Sequence, residues 1–173
     1  MRKIYITGVS GTGKTTISRE LEKRGFYAIS IDEVDDLCSW VDQETGEKDG
    51  GKDTELNLDF VNKHDWICDT EYLNKLLNKD VDVAFVLGMT TNQDGFSHIF
   101  DKILLLQCSP EIFCKRIEGR TDNDFGKDKK IQQQILDRYE AYAESMLAKG
   151  AIPINTEKPI DEVVDEVIQK ALH

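Results

Sequence analysis

Basic residues are the scarce class in this chain: 22 Lys and Arg stand against 33 Asp and Glu, a net charge of −11. A surface of that sign repels nucleic-acid backbones and anionic membranes, so neither is expected as a partner. Long apolar runs are missing too, which argues against a signal peptide and a membrane-spanning helix and favours a cytoplasmic setting. The four cysteines, Cys38, Cys68, Cys108 and Cys114, show no C-x-x-C spacing. They read as reduced structural thiols, not as a disulfide framework. Metal-ligand clusters, internal repeats and low-complexity segments are absent. What is left, in 173 residues of which 39% are hydrophobic and 32% charged, is one ordinary domain with enough chain to bury a core.

What is present begins at once. Gly8-Val9-Ser10-Gly11-Thr12-Gly13-Lys14-Thr15 fits G-x-x-x-x-G-K-[ST] without a mismatch. Lys3-Ile4-Tyr5-Ile6 before it is strand-like, and Ile17 and Leu21 after it stand at helical spacing, with Gly25 as a stop. That order suits a loop whose N–H groups converge on an anion, backed by the positive end of a helix. The spacing therefore predicts a nucleoside triphosphate site formed by Gly8, Ser10, Gly11, Thr12, Gly13, Lys14, Thr15 and Thr16. Lys14 reaches the β- and γ-phosphates, and the Thr15 hydroxyl ligates Mg²⁺.

Downstream, residues 26–31 read as a second strand that ends at Asp32. A short helical stretch is expected next, with Val34, Leu37, Cys38 and Val41 on one face. Residues 42–54, polar and glycine-bearing, read as a mobile surface loop. Residues 56–62 are expected to be helical, and Asp69 to cap a helix over 70–78. The apolar run 81–88 is a third strand covered on both faces, and 102–106 a fourth. Ser109-Pro110-Glu111 opens a helix to about Glu118. A longer helix follows over 129–149, then a short strand at 151–154 and a terminal helix at 159–172. Strands alternating with helices predict a parallel α/β sheet with ligands beyond the carboxyl ends of its strands.

Two further matches fail on context. Asn62-Lys63-His64-Asp65 spells the guanine-binding N-K-x-D, but it precedes the third strand instead of following a late one. Asp124-Phe125-Gly126 spells D-F-G with no H-R-D ahead of it. The segment from Arg116 to Lys127 is more informative. Arg116 and Arg120 leave a helix and enter a short polar loop, and guanidinium forks suit phosphoryl oxygens. A lid at about 119–128 that closes over the triphosphate is the expectation, with Arg138 a weaker candidate.

These features together resemble the small P-loop kinases, a group that includes adenylate, shikimate and gluconate kinases. The phosphate loop at the start, a strand ending in Asp32, the turn at Val86-Leu87-Gly88 and the arginine-bearing lid carry the likeness. The resemblance implies one domain over 1–173, with a five-stranded parallel sheet in the order 2-3-1-4-5 and flanking helices. It also implies ATP and Mg²⁺ as donor, an acceptor region at about 32–78, and a loop with Asn155 and Thr156 bordering the adenine.

Where the chain departs from that group, the chemistry narrows. No arginine stands between Arg24 and Arg116, and residues 32–59 hold eleven Asp or Glu against two Lys. A hydroxyl acceptor suits this field better than a phosphate. Asp32 is the candidate to orient the acceptor hydroxyl, take its proton or hold Mg²⁺. Leu87 occupies the place where an acidic residue is usual. Gly88, Thr90, Asn92 and Gln93 are candidates to contact the acceptor, and Trp40 and Trp66 either stack on it or belong to the core. The leading expectation is an ATP-dependent kinase of a small hydroxyl compound. A nucleoside monophosphate kinase and a nucleotide-dependent switch without a small acceptor are the alternatives, with a polynucleotide kinase disfavoured by charge.

Overall fold

The computed structural model describes residues 1–119 and 127–173. Its frame is a parallel sheet of β1 (Arg2–Thr7), β2 (Tyr27–Ser30), β6 (Val83–Leu87), β7 (Lys102–Gln107) and β8 (Ile152–Asn155). Side by side they run β2-β6-β1-β7-β8, every pair parallel. Counted within this sheet alone, the order is second, third, first, fourth, fifth, as the kinase resemblance implies.

Period-2 alternation explains why the strands are apolar throughout. Ile4, Ile6, Phe85, Leu87, Leu104 and Leu106 face one way, against α1 (Lys14–Lys23) and α7 (Ile160–Leu172) through Ile17, Leu21, Val163 and Val167. Tyr5, Ile29, Ala84 and Val86 face the other way, against Leu73 and Leu77 of α3 (Thr70–Leu77) and against Phe96 of α4 (Gln93–Phe96). Helix α6 (Lys129–Ala148) extends this second layer under Leu105 through Ala143 and Met146. Helix α5 (Pro110–Gly119) backs the phosphate loop, with Phe113 and Ile117 packed on Val9.

One region departs from expectation. Residues 38–54, read as a helix and then a mobile loop, form a hairpin of β3 (Cys38–Asp42) and β4 (Lys48–Gly50). Asp42 Oδ1 accepts from the Glu44 and Thr45 amides and closes the turn. Strand β3 also pairs antiparallel with β5 (His64–Cys68), giving a second sheet in the order β4-β3-β5. Trp40 lies opposite Trp66, ring centroids 5.1 Å apart. Cross-strand aromatic pairing overrides the helical spacing of Val34, Leu37 and Val41. Helix α2 (Leu58–Lys63) leads into β5, with Asn57 accepting from the Phe60 amide as its cap. Asp69 caps α3 as expected, accepting from the Tyr72 amide.

Candidate active site

Between the carboxyl ends of the parallel strands and the small antiparallel sheet lies a cleft of about 2110 Å³. Its base is the phosphate loop. Gly13 stands at the cap of α1 with φ 104, a left-handed conformation that favours glycine, and lets the chain turn directly into the helix. Thr12 Oγ1 donates to the Val9 carbonyl at 2.8 Å, which ties the loop to itself. Lys14 Nζ donates to the carbonyls of Gly8 and Val9, at 2.6 and 3.1 Å. Ser10, Gly11, Thr12, Gly13, Lys14, Thr15 and Thr16 all line the cleft, while Gly8 is buried behind them. The amides at the start of α1 have no partner within the helix, so the loop offers donors and a cation to an anion.

Asp32, half-buried, follows the end of β2 in the same cleft wall. Backbone pairing of Ile31 N–H with the Leu87 carbonyl, 2.9 Å, carries the sheet register up to it. The Trp66 indole N–H donates to Asp32 Oδ1 at 3.0 Å, joining the antiparallel sheet to the parallel one at this carboxylate. Trp40 lines the cleft as well, so both tryptophans are core and wall at once. No group of three or more His, Cys, Asp or Glu stands together as a metal site among the described residues. Mg²⁺ needs none, because it keeps several waters and takes one or two protein oxygens beside substrate phosphates. Thr15 and Asp32, both in this wall, fit that demand.

Arg116 sits on the opposite side. Its guanidinium donates to Thr156 Oγ1 at 3.0 Å and to the Thr156 carbonyl at 2.6 Å, fixing it to the loop after β8. Two residues expected at the nucleotide are thus in contact with each other. Glu157 beside them accepts from the Ser109 amide at 2.6 Å. That bond, at the entrance of α5, holds its carboxyl below the usual range. Asn155 lies outside the cleft wall and caps this turn, accepting from the Glu157 amide. Arg138 and Lys127 line the cleft, whereas Arg120 and residues 121–126 of the expected lid lie outside the described residues.

The loop after β6 behaves differently from expectation in part. Thr90 and Gln93 line the cleft, but Gly88 and Asn92 do not. Asn92 grips the backbone of Cys68, accepting from its N–H at 3.0 Å and donating to its carbonyl at 2.9 Å. The Gln93 amide is held in a buried network: its Oε1 accepts from the Tyr5 and Thr7 hydroxyls, and its Nε2 donates to Tyr142 Oη. Burial pushes the Tyr142 phenol up, so it remains a donor. Sequence reasoning missed Tyr142, Gln43 and His64 as wall residues. Only the antiparallel pairing of β3 with β5 and the docking of α6 bring them there, and neither has a local signal.

Comparison with known proteins follows this geometry. A family model described as an AAA domain matches residues 4–137. The chain is similar to a protein of Methanocaldococcus jannaschii named a putative adenylate kinase, 30% identical over 99% of this chain and 86% of that one. It is also similar to a shikimate kinase of Bacillus cytotoxicus, 25% identical over 98% of each chain. Among solved structures, a deoxyadenosine kinase from M. mycoides has the same fold, with a TM-score of 0.59 at 15% identity, covering 97% of each chain.

Proposed function

Because the chain belongs to the AAA domain family and is a P-loop kinase, we propose that it moves the γ-phosphate of ATP to a hydroxyl group of a small molecule. Lys14 and the amides of residues 10–16 hold the triphosphate. Arg116 neutralises its charge from the far side, Arg120, outside the described residues, is the second arginine assigned to the triphosphate, and Thr156, with Asn155 behind it, borders the base. Thr15 and Asp32 are the residues that would hold Mg²⁺. When bound, the ion neutralises phosphoryl oxygens and orients them for displacement. Asp32 orients the acceptor hydroxyl and receives its proton as the oxygen attacks phosphorus. A cytoplasmic setting, where ATP is supplied, goes with this reading.

The observation that carries the proposal is the place of Asp32, in one wall with the phosphate loop and held by Trp66 at 3.0 Å. A carboxylate so held is aimed before substrate arrives. On the acceptor side the basic side chains face acids: Arg19 pairs with Glu33 and Lys52 with Asp35. That field suits an uncharged acceptor better than a phosphate. A second reading, transfer to a nucleoside monophosphate, draws on the 30% identical relative named a putative adenylate kinase.

ADP release with Mg²⁺-ATP, against deoxyadenosine, shikimate, gluconate and AMP, tests the two readings. Stimulation by a hydroxyl compound, reduced roughly 10²- to 10⁴-fold by Asp32→Asn, is the expected result. Stimulation by AMP alone would transfer the assignment to the second reading. An Asp32→Asn enzyme with full activity would remove Asp32 from the chemistry.

A further inference from the structure

Thr90 is 4% exposed and stands in the cleft wall, yet its Oγ1 has no hydrogen-bond partner among the described residues. Buried hydroxyls are nearly always paired, so an orphan at a ligand cleft marks a place where something else supplies the partner. Rearrangement of the loop does not offer one. The Tyr5 hydroxyl shares its one hydrogen between Gln93 Oε1 and the Gly88 carbonyl, each 3.0 Å away, and the Thr91 amide donates to the Trp66 carbonyl at 2.8 Å. The Gln93 amide closes back on the Thr90 carbonyl at 3.3 Å, and the Asn92 side chain holds both backbone groups of Cys68. The segment is fastened to β1 on one side and to β5 on the other. A β-branched side chain on such a backbone has few rotamers to choose from.

Resting on the kinase reading above, we propose that the Thr90 hydroxyl is the specificity-determining contact for the acceptor. It pairs with an uncharged hydrogen-bonding group there: a hydroxyl, a carbonyl or a ring nitrogen. Charge decides the class. Residues 88–93 contain no lysine or arginine, and a lone hydroxyl does not balance a phosphate. A threonine also donates and accepts, so it suits either polarity of a neutral group. Selectivity follows from the same orphan. An analogue that lacks the matching group leaves the hydroxyl buried and unpaired, whereas the correct acceptor completes it.

The test compares Thr90→Val and Thr90→Ser with the unaltered enzyme. The acceptor probe is whichever of deoxyadenosine and shikimate is turned over faster, and KM is measured separately for that probe and for ATP. Thr90→Val is expected to raise the probe KM about tenfold or more, with the ATP KM within about twofold. Thr90→Ser is expected to remain near the unaltered value. The thermal midpoint of free Thr90→Val should be no lower than that of the unaltered protein, since the change removes a hydroxyl that has no partner. A clear fall in that midpoint would mean the hydroxyl is paired within the protein, and the inference is wrong. An unchanged probe KM in Thr90→Val overturns it as well, while leaving the kinase reading intact. If neither probe is phosphorylated by the unaltered enzyme, hydroxyl transfer fails first and this inference falls with it.

Discussion

A glycine is required at residue 88 by its neighbour rather than by its own backbone. A Cβ built there would stand 2.0 Å from Ile31 Cγ1 and 2.1 Å from Ile31 Cδ1, far inside contact distance. Ile31 is fully buried and immediately precedes Asp32, so anything that displaces Ile31 also displaces the carboxylate. Overpacking of this kind costs about 1–3 kcal/mol. Gly88→Ala is therefore expected to lose stability in that range in urea denaturation and to lower turnover as Asp32 moves. A loss under about 0.5 kcal/mol would show that Ile31 has room to rotate away. From the sequence, Gly88 reads as a turn beside the acceptor. Its position at the strand end was legible, but its task was not, because Ile31 and Gly88 meet only when β2 and β6 pair.

At the scale of elements, the small antiparallel sheet is held by a histidine between acceptors. His64 Nδ1 lies 2.8 Å from the Phe60 carbonyl and Nε2 lies 2.8 Å from Asp49 Oδ2, with Asp42 Oδ2 at 3.8 Å. Neither close partner is a donor when Asp49 is ionised, so both contacts are hydrogen bonds only if both ring nitrogens carry protons. The Phe60 carbonyl, followed by Asp49, raises the His64 pKa above its ordinary value. The Phe60 ring stacks on the imidazole at 3.8 Å. A raised folded pKa contributes stability that is complete below the ordinary histidine range and is lost as pH rises through the folded value. Amide exchange in β3, β4 and β5 should therefore quicken as pH rises above neutrality, beyond the intrinsic base-catalysed increase. His64→Gln should remove that excess. An excess that survives in His64→Gln would assign the effect to another group. This sheet is also where sequence reasoning failed. β3 and β5 are separated by more than twenty residues, and strand pairing over such a distance leaves no periodic signal. By contrast, α3 and α5 announced themselves through Asp69 and through Ser109-Pro110-Glu111, because caps are local.

At the scale of the whole molecule, the cleft is where the parallel sheet, the antiparallel sheet, α5, α6 and the loop after β8 converge. The parallel sheet was legible in the alternation of strands and helices, whereas its strand order was legible only through the resemblance to the small P-loop kinases. A ligand that bridges these elements stabilises all of them, by RT ln(1 + [L]/Kd), or about 2.7 kcal/mol at a hundredfold excess over Kd. For a chain of this length that corresponds to roughly 5–10 °C in thermal midpoint. Mg²⁺-ATP is expected to give such a shift, and Lys14→Ala to abolish most of it, since Lys14 is the charge nearest the loop carbonyls of Gly8 and Val9. GTP should give less. The guanine-like letters at residues 62–65 straddle the end of α2 and the start of β5, where His64 is engaged by Phe60 and Asp49. They are not on the loop that carries Thr156, which Arg116 ties to α5 and which the proposed function assigns to the base. An equal shift with GTP would mean that the Thr156 loop does not discriminate the base, and the donor would have to be assigned anew. A full ATP shift in Lys14→Ala would place the triphosphate elsewhere in the cleft, because the loop amides without their cation retain only part of the attraction.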